Sequence, residues 1–130
     1  MIIKIFSKKW NYNVALSLKK MLTHYNINSI IVFNITREDI ECNKRNTNEY
    51  YILLGDTEEL PIRYFYYNLE SISSIQNNGH KKCKNLIDIV NNSILTFDFA
   101  QNNLAKKTSY FTKLIVYMPV PINSADNTEQ

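Results

Sequence analysis

The sequence predicts a three-layer, Rossmann-like α/β domain with a mainly parallel sheet of five or six strands. Apolar, β-branched segments alternate with segments of helical periodicity along most of the chain, as in parallel α/β folds. Residues 29–35 have a continuous apolar centre, which is typical of a strand covered by helices on both faces. The 130 residues, 45% of them hydrophobic and 21% charged, have the size and composition of one domain. We expect that domain at residues 1–122, with a flexible polar tail at 123–130.

The first half of the chain is expected to contain three strands and one clear helix. Residues 1–6 are β-branched and aromatic apart from one lysine and predict the first strand. Apolar side chains recur at helical spacing from Val14 to Tyr25, with Asn11 or Asn13 available as N-cap, and strands follow at residues 29–35 and 50–54. Residues 36–49 are polar and lack a strong period, so we expect a loop with at most a short helical turn.

The second half is expected to complete the sheet. Its elements, in order, are a helical turn at residues 56–60, a strand at 63–68, a loop at 71–79, a helix at 83–90, a strand at 94–97, a short helix at 100–107 and a strand at 114–117. The aromatic run at residues 64–67 is interpreted as core rather than as a stacking surface, because side chains alternate faces along a strand. The connection at 55–62 is short for a helical crossover between parallel strands.

Composition and motifs narrow the classes of function. The net charge is +3 and the lysine pairs are scattered, so we expect no nucleic-acid partner. No apolar run approaches the roughly 20 residues of a membrane span, and no signal-peptide pattern precedes the first strand, so we expect a cytoplasmic protein without membrane contact. Two glycines are too few for either phosphate-binding loop motif, and Cys42 and Cys83 have no metal-ligand spacing. We therefore expect no cofactor and no metal.

Candidate ligand-binding residues follow the strands, because ligands of open parallel sheets bind beyond the carboxyl ends of the strands. Other polar residues at these ends include Lys8, Asn34, Arg37 and Asp56. The candidates that we select are Ser7, Trp10, Asn68, Glu70 and Asp98.

Two of these candidates, Glu70 and Asp98, are a potential acid–base pair. For Asp98 the favoured interpretation is a helix N-cap, because aspartate is a strong capping residue. For Glu70, catalysis and a local cap or lysine pairing remain equal alternatives. We assign no catalytic residue.

Several segments of the second half resemble a group of glycosyltransferase-like proteins. Tyr67-Asn68-Leu69-Glu70 is similar to a Tyr-Asn-Leu-Glu-like segment at the end of a strand in that group. Phe97-Asp98-Phe99-Ala100, followed by Asn102 and Asn103, corresponds to a Trp-Asp-Tyr-Ser-like segment, and Tyr117-Met118-Pro119 corresponds to a Val-Pro-like end. The second segment is degenerate here, since Phe97 replaces the tryptophan and Ala100 replaces the serine.

The resemblance implies the N-terminal half of a GT-B architecture, in which two Rossmann-like domains face each other. The first domain shapes the acceptor side, and the second supplies most contacts to the nucleotide-sugar donor. We therefore expect a stand-alone half that is not catalytic alone and binds a carbohydrate, an acceptor or a nucleotide-sugar. The alternative is an interaction module that forms a homo-oligomer or docks on a partner protein through apolar surface left uncovered. A complete small enzyme has the least support.

Overall fold

The fold is α/β, with one sheet of six parallel strands. The computed structural model describes residues 1–71, 80–101, 104 and 111–121, and for residues 80–84 it describes the backbone only. The strands are β1 (Ile2–Phe6), β2 (Asn28–Val32), β3 (Glu49–Leu53), β4 (Tyr64–Asn68), β5 (Leu95–Asp98) and β6 (Ile115–Tyr117). The helices are a 3-10 turn (Lys9–Asn11), α1 (Tyr12–His24), α2 (Arg37–Arg45) and α3 (His80–Asn92).

The strands lie in the order β2-β1-β3-β4-β5-β6, and helices cover the sheet from both sides. On one face, α1 packs through Ala15 and Leu18 against Ile3 and Ile5 of β1. On the other face, α2 and α3 belong to a second apolar cluster. Their contributions to it are Ile40, Leu86, Ile89 and Val90. The three-layer parallel α/β fold predicted from the sequence is confirmed.

The predicted loop at residues 36–49 is wrong, because most of it forms α2. The helix begins with a capping box: Thr36 Oγ1 accepts a hydrogen bond from the Asp39 amide at 3.1 Å, and Asp39 Oδ2 accepts one from the Thr36 amide at 2.8 Å. Only Ile40 and Asn43 are buried in this helix. One apolar residue is too few to create a visible hydrophobic period, so the capping box was the available sequence signal.

The prediction for the second strand is also wrong, because the strand is shorter than predicted and is not buried on both faces. β2 ends at Val32 and lies at the edge of the sheet, with β1 as its neighbour. Ile30 is 42% exposed, and Phe33, just beyond the strand, is 58% exposed. The continuous apolar run was a misleading signal, because its last residues belong to a loop that faces an open part of the molecule.

The connection between β3 and β4 contains bends instead of the helical turn predicted at residues 56–60. A buried side chain of α2 holds its end in place. Asn43 Oδ1 accepts hydrogen bonds from the main-chain amides of Ile62 (2.9 Å) and Arg63 (3.1 Å). Asn43 Nδ2 donates to the main-chain oxygen of Glu49 (3.0 Å). Asn43 thus ties the starts of both strands together, so the two parallel strands pair despite the short connection.

A buried ion pair lies beside this asparagine. Lys4 Nζ is 2.5 Å from Glu49 Oε1, and Glu49 is only 4% exposed. The hydrogen bond to Glu49 raises the pKa of Lys4 above its ordinary value, against the opposing effect of burial. The positive charge of Lys4 and the negative charge of Glu49 therefore compensate each other beneath α2.

The aromatic run in β4 belongs mainly to the core, as predicted. Tyr64, Tyr66 and Tyr67 are buried, whereas Phe65 is half-buried. The Tyr67 hydroxyl donates to the Met118 carbonyl oxygen at 2.8 Å, and burial raises the pKa of Tyr67 to about 12.

The remaining predictions for the second half have different outcomes. The helix predicted at 83–90 is longer and is α3, from His80 to Asn92. Of the loop at 71–79, only Ser71 is described, and most of the helix at 100–107 and all of the tail at 123–130 also lie outside the described residues.

Candidate functional site

An open cleft of about 1030 Å³ lies beyond the carboxyl ends of β1, β2 and β3. From β1 the chain moves to one side to form β2 and then returns past β1 to form β3, so the strand order reverses between β1 and β3. At such a switch point the neighbouring connections leave the sheet in opposite directions and open a crevice, which is where doubly wound sheets bind ligands. The cleft is lined by residues 6–9, Tyr12, residues 33–35, Arg37 and residues 56–59.

The floor of the cleft is a buried hydrogen-bond network. The Ser7 hydroxyl donates to Asn11 Oδ1 at 3.0 Å, and the Lys8 amide donates to the same oxygen at 2.8 Å. Asn11 Nδ2 in turn donates to the Leu54 carbonyl oxygen at 2.6 Å. Ser7 is 1% exposed and Asn11 is 2% exposed. Ser7, a predicted candidate, therefore lies at the cleft, but its hydroxyl holds the loop after β1 against the end of β3.

One wall of the cleft presents an aromatic pair, Tyr12 and Phe33. Their ring centroids are 5.6 Å apart with an interplanar angle of 33°. Tyr12 is 39% exposed and Phe33 is 58% exposed, which is unusual for large aromatic side chains in contact with one another. The two rings together form an accessible apolar surface beside polar groups.

Charged side chains connect the loops around the cleft. Lys8 Nζ is 3.8 Å from Asp56 Oδ1, and Arg37 Nε is 3.2 Å from Glu59 Oε1. Lys8 also crosses Gly55 closely: a Cβ atom at that glycine would lie 3.2 Å from both Cγ and Cε of the lysine. The loop after β3 is thus tied to the loops after both β1 and β2.

The lining has no net formal charge. Three basic residues (Lys8, Lys9 and Arg37) face three acidic residues (Asp56, Glu58 and Glu59). The basic residues follow β1 and β2, and the acidic ones follow β3, so the cleft has walls of opposite sign.

A second group of polar residues, the Asn68–Asp98 cluster, lies at the ends of β4 and β5. Asn68 and Asp98 are paired neighbours in the sheet and are 0% and 2% exposed. Asp98 accepts hydrogen bonds from the amides of Ala100 and Leu104, each at 3.0 Å and each on a different carboxylate oxygen. Bonds to main-chain amides are what an N-cap aspartate makes, but most of the helix that the sequence predicted after Asp98 lies outside the described residues.

Asn68 is likewise turned inward. Its Nδ2 donates to the Glu70 carbonyl oxygen at 2.9 Å, and its Oδ1 accepts from the Tyr66 hydroxyl at 3.3 Å. Glu70 is half-buried next to it. The structure therefore brings the predicted candidates Asn68, Glu70 and Asp98 together at the carboxyl ends of β4 and β5, although not around the cleft.

Trp10 is the one predicted candidate that lies apart from both groups. It is 60% exposed in the 3-10 turn and does not line the cleft. The aromatic pair was missed by sequence reasoning, because Tyr12 belongs to a helix and Phe33 lay inside a predicted strand. The sequence signal that could have identified them is that both residues follow the carboxyl end of a strand within a few residues.

No protein-family model, curated protein or solved structure matches this chain. Among the described residues, no three His, Cys, Asp or Glu side chains are grouped so that they could hold a metal ion. In the same residues, no helix combines the length and the apolar character needed to cross a membrane. Fold and cleft define the chain as a doubly wound α/β domain with an opening of ligand size at its switch point.

Proposed function

We propose that this chain is a glycosyltransferase-like domain that binds a carbohydrate in the switch-point cleft and is not catalytic by itself. The observation that carries the proposal is the exposed aromatic pair of Tyr12 and Phe33 beside the hydrogen-bonding groups of the cleft. Sugars present apolar C–H faces and a rim of hydroxyl groups, so they match a site that combines aromatic rings with polar side chains. The resemblance of the segments around Asn68 and Asp98 to glycosyltransferase-like proteins supports the same class of ligand.

The charge of the cleft favours a carbohydrate over a nucleotide diphosphate. Phosphate sites concentrate cations or main-chain amides, whereas here the formal charges of the lining cancel. Asp56, Glu59 and Asn34 offer oxygen acceptors for hydroxyl groups, and the basic residues offer donors. A ligand with many hydroxyl groups can satisfy both kinds of group.

Binding without catalysis is proposed because three of the carboxylates at the strand ends have structural partners. Asp98 bonds to main-chain amides, and Asp56 and Glu59 pair with cations. A general acid or base needs a carboxylate that is free to exchange a proton with the substrate.

The experiment is ligand-observed saturation-transfer NMR against a panel of monosaccharides, oligosaccharides and nucleotide-sugars, repeated with Phe33→Ala. We expect binding of at least one sugar, and a loss of affinity of about fivefold in the variant, since an aromatic stacking contact is worth on the order of 1 kcal/mol. Tyr25→Ala is the matched control, because Tyr25 is 68% exposed at the other end of α1. Silence across the whole panel, or equal losses in the two variants, would contradict the proposal.

The second candidate is an interaction module, and exposed side chains around the edge strand β6 favour it. Leu114, Tyr117 and Val120 are 74%, 53% and 43% exposed, and in the described part of the chain β6 pairs with β5 alone. Another copy or a partner chain could pair with such an edge. Sedimentation velocity over a hundredfold range of concentration tests this candidate: association that Tyr117→Lys abolishes would support it, and a monomer throughout would exclude self-association.

A further inference from the structure

We infer that the cleft selects a sugar that carries one acidic group, and that Lys9 binds this group. The inference rests on the proposed carbohydrate function and adds the charge of the ligand. It follows from how the six charged residues of the lining are paired.

Four of these six residues have partners within the cleft. Lys8 lies 3.8 Å from Asp56, and Arg37 lies 3.2 Å from Glu59. Lys8 is also positioned over the Phe6 ring, 5.4 Å from its centroid. These contacts hold Lys8 and Arg37 in the walls of the cleft, so neither is the first choice to bind an acidic group of a ligand.

The remaining two, Lys9 and Glu58, are exposed, and among the described residues neither side chain has an ion pair or a hydrogen bond. They belong to opposite walls, since Lys9 follows β1 and Glu58 follows β3. Lys9 lies three residues before Tyr12 of the aromatic pair, and both residues line the cleft.

These positions define the ligand chemically. An ammonium group is a compact charge that binds a carboxylate or a phosphate without a fixed geometry. The carboxylate of Glu58 can accept hydrogen bonds from sugar hydroxyl groups and needs no second charge on the ligand. A ring stacked on Tyr12 and Phe33, with its acidic group toward Lys9 and its hydroxyl groups toward Glu58, satisfies both walls. A uronic acid and a sugar monophosphate share this chemistry.

The test compares dissociation constants for glucose, glucuronate, glucose 6-phosphate and glucosamine by chemical-shift titration at about 20 mM and about 500 mM salt. An exposed ion pair is worth up to about fivefold in affinity, and salt screens it. We expect glucuronate, glucose 6-phosphate or both to bind about fivefold more tightly than glucose at low salt. The better of the two identifies the acidic group, and the preference should shrink at high salt.

Lys9→Met should remove this preference, so that glucuronate and glucose 6-phosphate bind no more tightly than glucose. Lys113→Met is the matched control, because Lys113 is exposed at the opposite end of the sheet and its loss changes the net charge equally. Equal affinities for glucose and the acidic sugars, or tighter binding of glucosamine, would overturn the inference while the carbohydrate function stands. Inorganic phosphate that binds as tightly as the acidic sugars would also overturn it. Absence of binding by every sugar would instead refute the proposed function.

Discussion

The switch-point cleft and the Asn68–Asp98 cluster both lie at the carboxyl ends of the strands of one sheet, but they use polar residues in opposite ways. In the cluster, side chains that are at most 2% exposed bond to the main chain of the next segment. In the cleft, the aromatic pair and the charged residues are accessible to a ligand. Polar residues at strand ends are therefore not sufficient evidence of a binding site. The direction of the chain beyond each strand decides between structure and function.

The difference follows from topology. Between β1 and β3 the connections diverge, so the polar residues there face an opening. From β3 to β6 the strands lie side by side in sequence order, without the reversal that opens the cleft between β1 and β3. At the ends of β4 and β5 the polar side chains bond to nearby main-chain groups: Asn68 Nδ2 donates to the Glu70 carbonyl oxygen, and Asp98 accepts from the amides of Ala100 and Leu104.

The largest effect is expected from Asp98→Ala. This change leaves the amides of Ala100 and Leu104 without their carboxylate acceptor, and each unsatisfied buried amide costs about 1–3 kcal/mol. Urea denaturation should show a free energy of unfolding lower by about 3 kcal/mol, with unchanged affinity for any sugar that the wild type binds.

Asp56→Ala is the control for this prediction, because it also removes an aspartate side chain, but one that lies in the cleft. There the ion pair of Asp56 with Lys8 is partly exposed. Its cost in stability should be below about 1 kcal/mol. Equal destabilisation by the two variants would contradict the distinction between the cluster and the cleft.

A smaller effect is expected from Gly55→Ala. The new methyl group would lie 3.2 Å from Lys8 Cγ and Cε, so the flexible lysine must shift by a few tenths of an ångström away from Asp56. Because this shift leaves Lys9 in place, we expect the affinity for an acidic sugar to change by less than about threefold, which is about 0.65 kcal/mol, and the free energy of unfolding to change by less than about 1 kcal/mol.

Titration of this variant with glucuronate, together with its urea denaturation, checks the prediction. A loss of stability above about 2 kcal/mol would mean that Gly55 is needed for the fold itself and not only for the position of Lys8.

Sequence reasoning could predict the fold because periodicity reports burial. The strands and the helices α1 and α3 have clear apolar patterns, and they are present. The approach failed where few apolar residues carry the structure. In α2 the stabilising groups are Ile40, a capping box and the buried amide of Asn43, and none of these creates a hydrophobic period.

The candidate site was predictable only in part. The rule for parallel sheets pointed to the strand ends, and Ser7, Lys8 and Asp56 from that set line the cleft. It could not rank β1 and β3 above β4 and β5, because strand order depends on contacts between residues that are distant in sequence. Phe33 was assigned to a strand, since its apolar neighbours in β2 hide the point where the strand ends.

The most direct test of the account is a map of sugar binding on the protein by two-dimensional amide NMR. The spectrum would be recorded with and without the best ligand from the panel. We predict chemical-shift changes at residues 7–12, 33–37 and 55–59, around the cleft, and none at residues 66–70 or 98–100. Changes centred on Asn68 and Asp98, with the cleft unaffected, would contradict the claim that the switch point is the binding site.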